Sequence, residues 1–175
     1  MNLPNRLTIS RIVLIVPFAA LAMAGVPLCY LFAAILFALA SMTDLLDGWY
    51  ARKHDMVTDF GKLMDPIADK VLVMVALVAL LAQGMVSWLA VMVLFAREYI
   101  VSGLRLVAAG KGVVIAADKL GKFKTATQMT GIICYLLGGW SEWFTIPGEV
   151  LIWISVGLSI VSLVDYAIKN KEVFR

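Results

Sequence analysis

The sequence predicts an all-α, polytopic membrane protein with six transmembrane helices and a polar cavity open to the cytosol. Three observations carry that expectation. Of the 175 residues, 62% are hydrophobic and only 15% are charged, against about 25% charged in a soluble domain; the mean hydropathy is +0.94. Six apolar segments, near 12–26, 29–50, 62–83, 85–108, 120–140 and 147–168, are separated by short turns or polar stretches. Every lysine and arginine falls on one set of segment ends. There is no Gly/Ser linker, low-complexity tract or clear internal repeat, so residues 1–175 are expected to form a single domain.

Residues 1–11 are expected to form a short interfacial lead-in, with a turn at Pro4-Asn5 and a helix cap at Thr8 or Ser10. The first apolar stretch has no Ala-x-Ala-like cleavage site and Arg11 sits beside it, which reads as a retained membrane helix rather than a signal peptide. Pro17 lies inside that helix, where neighbouring helices can re-satisfy the freed carbonyl. Turns are expected at 25–27, 83–84 and 141–148. The second segment has only residues 29–43 before Asp44, the third only 71–82 after Lys70, and the fourth only 84–96 before Arg97. A span needs about 20 residues, so in each the polar residues must fill one end of the membrane.

Orientation follows from the cations. Arg6, Arg11, Arg52, Lys53, Lys62, Lys70, Arg97, Arg105, Lys111, Lys119, Lys122, Lys124, Lys169, Lys171 and Arg175 share one side, and the opposite loops carry only Glu142 and Glu149. Both termini and the 51–61 and 106–120 loops are therefore expected in the cytosol. Trp88, Trp140 and Trp143 fall at the outer ends as interfacial anchors, and Gly131, Gly138, Gly139 and Gly157 offer close helix contacts. The net charge of +3 is a cytoplasmic rim facing anionic headgroups or phosphorylated substrates, and no nucleic-acid motif accompanies it. Cys29 and Cys134 read as small buried hydrophobes, with no disulfide or metal site implied.

The chemistry concentrates in residues 44–69. Asp44 and Asp47 end one apolar segment, and Asp65 and Asp69 begin the next. On helices, i, i+3 and i, i+4 spacings put each pair on one face, about 5–6 Å apart at Cβ. Antiparallel neighbours would bring all four carboxylates together. One such aspartate could cap a helix or pair with Arg52, Lys62 or Lys70, but four at matched spacing beside Gly48 and Gly61 point to function. Four close carboxylates cannot all stay ionised without cations. Oxygen-only ligands suit Mg²⁺ or Mn²⁺, and the sole histidine, His54, supplies no zinc set. Gly48 lets a ligand approach the helix backbone, and Arg52, four residues on, can donate a forked pair of hydrogen bonds to phosphate. Metals, glycines and an arginine suggest a diphosphate-bearing ligand and a two-metal phosphoryl transfer.

At these residues the chain resembles the CDP-alcohol phosphotransferase family, whose motif is D-x2-D-G-x2-A-R, a gap of eight or nine residues, then G-x3-D-x3-D. Asp44, Asp47, Gly48, Ala51, Arg52, Gly61, Asp65 and Asp69 fill every fixed position with a gap of eight. The six-helix architecture matches too, so the resemblance covers essentially the whole chain. It implies that Asp44, Asp47, Asp65 and Asp69 bind two divalent cations and that Asp69 is also the general base. It implies that Gly48, Ala51, Arg52 and Gly61, with Thr58, hold the CDP moiety of CDP-diacylglycerol. Pro4-Asn5-x-Leu7-Thr8-x-x-Arg11 looks more loosely like the family's N-terminal signature, which adds Asn5 and Thr8 to that side. A homodimer is implied as well.

Within the family, the run Arg97-Glu98-Tyr99-Ile100-Val101-Ser102-Gly103-Leu104-Arg105, with Gly121-Lys122-Phe123-Lys124-Thr125 and Gln128, resembles the branch that forms phosphatidylglycerophosphate and CMP from CDP-diacylglycerol and sn-glycerol 3-phosphate. A phosphate-bearing acceptor fits the cations Arg97, Arg105, Lys122 and Lys124. The alternative for these four is an ordinary positive rim, and for Arg97-Glu98 a structural ion pair. Two other functions stand beside this one. One is a different member of the family, making phosphatidylserine, cardiolipin or an inositol phospholipid. The other is a divalent-cation transporter, which should continue polar residues across the membrane, whereas 71–82 has none.

Overall fold

A computed structural model describes residues 3–53, 59–113 and 119–170, with side chains described for 9–43, 67–113 and 120–170. Six long helices make up the described chain: α1 (Leu3–Met23), α2 (Pro27–Lys53), α3 (Asp59–Ala82), α4 (Trp88–Gly110), α5 (Lys119–Trp140) and α6 (Thr145–Lys169). A single 3-10 turn at Glu142–Phe144 joins the last two, and no strand occurs among the described residues. The helices run to 21–27 residues, and at 1.5 Å per residue about 20 residues cross the 30 Å hydrocarbon layer. Among the described residues one helix, at Glu142–Lys169, is both long and apolar enough to span a membrane by composition; Ile9–Met23 and Pro27–Thr43 are shorter apolar stretches.

The lead-in corrects one expectation. Residues 3–11 are not a separate segment with a turn at Pro4-Asn5, because α1 runs unbroken from Leu3. Pro4 sits in the first turn, where a helix has no use for the missing N–H and the fixed φ suits it. Thr8 and Ser10 accordingly lie inside the helix rather than capping it. Arg11, expected on the rim, is 3% exposed.

α1 packs on α2 and α3, α5 on α2 and α6, and α4 on α6 and α3. Phe18 of α1 meets Phe37 of α2 at 5.7 Å between ring centroids, and Leu72, Leu77, Leu80, Leu94, Ile132 and Leu136 continue the core through α3, α4 and α5. One end of the bundle gathers the turns. Gln83 Nε2 donates to the Met23 carbonyl at 3.0 Å, and Gly25 and Gly84 adopt φ of 66° and 70° there, a region open to glycine at no steric cost.

The exterior is apolar while polar groups lie inside. Leu106 is 76% and Trp143 88% exposed, whereas Lys124, Gln128, Ser155, Ser159 and Ser162 are buried. Large exposed apolar surfaces mark a partner or a lipid environment.

Three of the four glycines expected at helix contacts are found there. A Cβ on Gly138 would stand 2.9 Å from Thr145 Oγ1, one on Gly131 3.1 Å from Ile152 Cδ1, and one on Gly139 2.5 Å from the Tyr30 ring, while Gly157 faces open space. Gly148, which the sequence did not single out, meets the Tyr135 backbone nitrogen at 2.9 Å. Gly139→Ala should destabilise the protein by about 1–3 kcal/mol, because the buried Tyr30 ring cannot retreat without repacking. Thermal unfolding in detergent checks this, and Gly157→Ala, with nothing within 4 Å, serves as the comparison that should hold or gain stability, since alanine is the better helix former.

Candidate active site

The motif falls on the ends of two consecutive helices. Asp44 and Asp47 lie in the second half of α2, and Asp65 and Asp69 in the first half of α3. The backbone is helical at all four, which satisfies the condition for each pair to share a face. Gly48, Ala51 and Arg52 follow on α2, Gly61 lies on α3, and Asn5 and Thr8 on α1. Of this set only Asp69 lies among the described side chains. Asn5, Thr8, Asp44, Asp47, Gly48, Ala51, Arg52, Gly61 and Asp65 fall outside them, and Thr58 and His54 lie outside the described residues altogether. The described residues alone hold no group of three or more metal-ligating side chains.

Asp69 opens onto a cavity of about 40 Å³ whose polar wall is Asp69, Lys70, Glu98, Lys124, Thr125 and Gln128. Val73, Met74, Leu94, Phe95 and Met129 close its apolar side. Three helices thus converge: α3 gives Asp69 and Lys70, α4 gives Glu98, and α5 gives Lys124 and Gln128.

Glu98 is the hub of the charges. Its Oε2 accepts from Lys124 Nζ at 2.9 Å and lies 3.4 Å from Arg97 Nη1, and its Oε1 lies 3.7 Å from Lys70 Nζ. Lys70 also donates to Ser102 Oγ, which in turn donates to the Glu98 carbonyl at 2.6 Å. Arg97 Nη2 reaches across to Ser162 Oγ of α6 at 2.8 Å. Lys124 is 3% exposed, and a buried ammonium of this kind is held only against a partner that offsets its lost hydration. The described charges on the wall balance, Lys70 and Lys124 against Asp69 and Glu98, and Arg97, behind the wall, adds a third cation to the cluster.

The four expected acceptor contacts separate. Lys124 lines the cavity, and Arg97 stands behind it, braced by Glu98 and Ser162, so the Arg97-Glu98 ion pair does form. Arg105 lies off the wall, its guanidinium 5.9 Å from the centre of the Tyr166 ring, and Lys122 is exposed. Lys70 and Gln128 belong to the wall, although neither is among the site residues expected from the sequence. For Lys70 a signal existed: it follows Asp69 directly, on a helix already assigned to the site. For Gln128 the signal was its position one turn after Lys124.

Comparison with known proteins gives the family. Residues 1–161 match the model of the CDP-alcohol phosphatidyltransferase family. The chain belongs to that family. It is 40% identical to a Bacillus subtilis protein over 99% of this chain and 97% of that one, 39% identical to a Rickettsia bellii protein over the same shares, and 35% identical to an Escherichia coli K12 protein over 94% and 92%. All three relatives bear the name CDP-diacylglycerol–glycerol-3-phosphate 3-phosphatidyltransferase.

Proposed function

We propose that the chain transfers the phosphatidyl group of CDP-diacylglycerol to the 1-hydroxyl of sn-glycerol 3-phosphate, giving phosphatidylglycerophosphate and CMP. The observation that carries this reading is the cavity wall, where the last aspartate of the motif, Asp69, stands with the cations Lys70 and Lys124. A carboxylate to accept a proton and ammonium groups to hold a phosphate are the two things an acceptor that bears both a hydroxyl and a phosphate requires. The names of the relatives support the same substrates.

CDP-diacylglycerol enters from the inner leaflet with its acyl chains in lipid, as the apolar exterior of the bundle favours. Its CDP end lies along Gly48, Ala51, Arg52, Thr58 and Gly61, beside Asn5 and Thr8, with Arg52 forking onto a phosphate oxygen. Asp44, Asp47, Asp65 and Asp69 would hold two divalent cations, Mg²⁺ or Mn²⁺, and their oxygen-only donor set on helical backbone fits such ions. When bound, the ions neutralise the diphosphate and stabilise the departing CMP. The acceptor's phosphate sits on Lys124 and Lys70, with Arg97 behind them and Arg105 and Lys122 toward its approach. Asp69 takes the proton from the acceptor's hydroxyl. The hydroxyl oxygen forms a bond to the phosphorus nearest the diacylglycerol, the bond from that phosphorus to the bridging oxygen breaks, and CMP leaves with the electron pair. Asp69 then returns its proton to solvent. The reading places six spans in a bacterial cytoplasmic membrane, with the cavity and both termini facing the cytosol and two copies forming a homodimer.

CMP release by purified protein in detergent tests the reaction. Release is expected with glycerol 3-phosphate and not with serine, inositol phosphate or phosphatidylglycerol. A chelator should abolish it, and added Mg²⁺ or Mn²⁺ should restore it. Release with a different acceptor would reject the assignment of the wall cations to glycerol phosphate, and release that survives full chelation would reject the metal role of the aspartates.

A further inference from the structure

We infer that Gln128 reads the middle hydroxyl of the acceptor and so selects a glycerol skeleton over a simpler three-carbon phosphate; this deepens the reaction proposed above and rests on it. Gln128 is 4% exposed and lines the cavity. Among the described residues its carboxamide makes no hydrogen bond, although it brings two N–H donors and an acceptor oxygen. An amide set in the wall of a largely enclosed cavity gains from a partner inside it. Leu94, Phe95 and Met129, which close the same cavity, have nothing with which to pair it. Among the described residues none supplies that partner, and a ligand in the cavity would.

The neighbours say what that is. Gln128 stands four residues after Lys124 on α5, so the two side chains leave one face about 5–6 Å apart at Cβ. Lys124 and Lys70 are the cations for a phosphate, and Asp69 on the facing helix is the acceptor for the reacting hydroxyl's proton. A ligand bound by its phosphate at one end and its reacting hydroxyl at the other presents its middle carbon to the remaining polar group on the wall. Thr125 is the other hydroxyl-bearing candidate there, but its Oγ1 already donates to the Gly121 carbonyl at 3.0 Å. Gln128 is thus the group free to both donate and accept. A site built to hydrogen-bond a substrate hydroxyl rejects the analogue that lacks it, because the protein group is then left unpaired.

The test compares kcat/KM for glycerol 3-phosphate and for 1,3-propanediol monophosphate, which keeps the phosphate and the reacting hydroxyl but lacks the middle one. The full-length enzyme in detergent, with CDP-diacylglycerol and Mg²⁺, should prefer glycerol 3-phosphate by about 10- to 100-fold, the range for one unpaired neutral group. Gln128→Met, close in shape but apolar, should bring that ratio near one, with the loss falling at least about tenfold harder on glycerol 3-phosphate. Gln128→Ala, checked by thermal unfolding, provides the same ratio should the methionine pack badly. An unchanged ratio in a folded variant, or equal losses for both acceptors, would overturn the assignment and make Gln128 a packing residue. No CMP release from the unsubstituted enzyme with either acceptor would instead overturn the reaction on which the assignment rests.

Discussion

Asp69→Asn should reduce CMP release by about 10²–10⁴-fold, the usual weight of a positioned general base, and by more if the same substitution weakens cation binding. The change is isosteric. Asp69 lies on the cavity wall rather than in the apolar core, and Ala68 and Leu72 on either side of it supply the buried contacts of this part of α3. The folded protein should therefore survive, with an unfolding transition near that of the parent. The two roles given to Asp69 separate by experiment. Lost ligation is offset by raising Mg²⁺ or Mn²⁺, whereas a lost base is not, since an amide cannot take up the proton at any metal concentration. Turnover that stays low at saturating metal supports the base. Recovery to parental rates would leave Asp69 a ligand only, and an active variant at ordinary metal concentration would remove it from both roles.

Asp69 is legible as a candidate in the sequence because the motif is local. Four aspartates at three- and four-residue spacings are a local pattern, and helix geometry alone converts spacing into a shared face. The same holds for glycines 131, 138 and 139, which lie on a single helix. What was not legible depends on partners distant in sequence. Lys124 reads as one of four cations suited to the acceptor's phosphate, with an ordinary rim as the alternative, and nothing in its segment sets it apart from Lys122. Its burial follows from Glu98, 26 residues earlier on another helix, and nothing local to 119–124 announces that pairing. Arg11 is another instance, a charge near a helix start that reads as interfacial and is buried. Gln128 was visible in a signature but carried no role until α3 and α4 closed the cavity around it. The start of α1 went the other way: Pro4 signals a turn or a helix's first turn with equal force, and the continuous helix decides for the second.

Glu98→Gln should destabilise the protein by about 3 kcal/mol, the lower end of the range for removing one partner of a buried ion pair. The lower end applies because the Glu98 side chain keeps 26% exposure and Lys70 keeps 35%, so water can offset part of the loss, whereas Lys124 at 4% side-chain exposure has no such recourse. For a chain of this length the change corresponds to a fall of roughly 6–12 °C in unfolding temperature. The double substitution Glu98→Gln with Lys124→Met should be more stable than the sum of the single effects predicts, since it removes the stranded charge together with its partner. Catalysis should not follow stability. Glu98 holds Lys124 and Lys70 at the wall, so its loss should raise KM for the phosphate-bearing acceptor more than it lowers kcat, and the double variant, though restored in stability, should remain poor because it has lost the anchoring cation. A Glu98→Gln protein that unfolds with the parent, or a double variant whose loss is simply additive, would show that the cluster is a solvated rim and not a buried network. A glutamine variant with lowered KM would show instead that Glu98 competes with the acceptor's phosphate for Lys124.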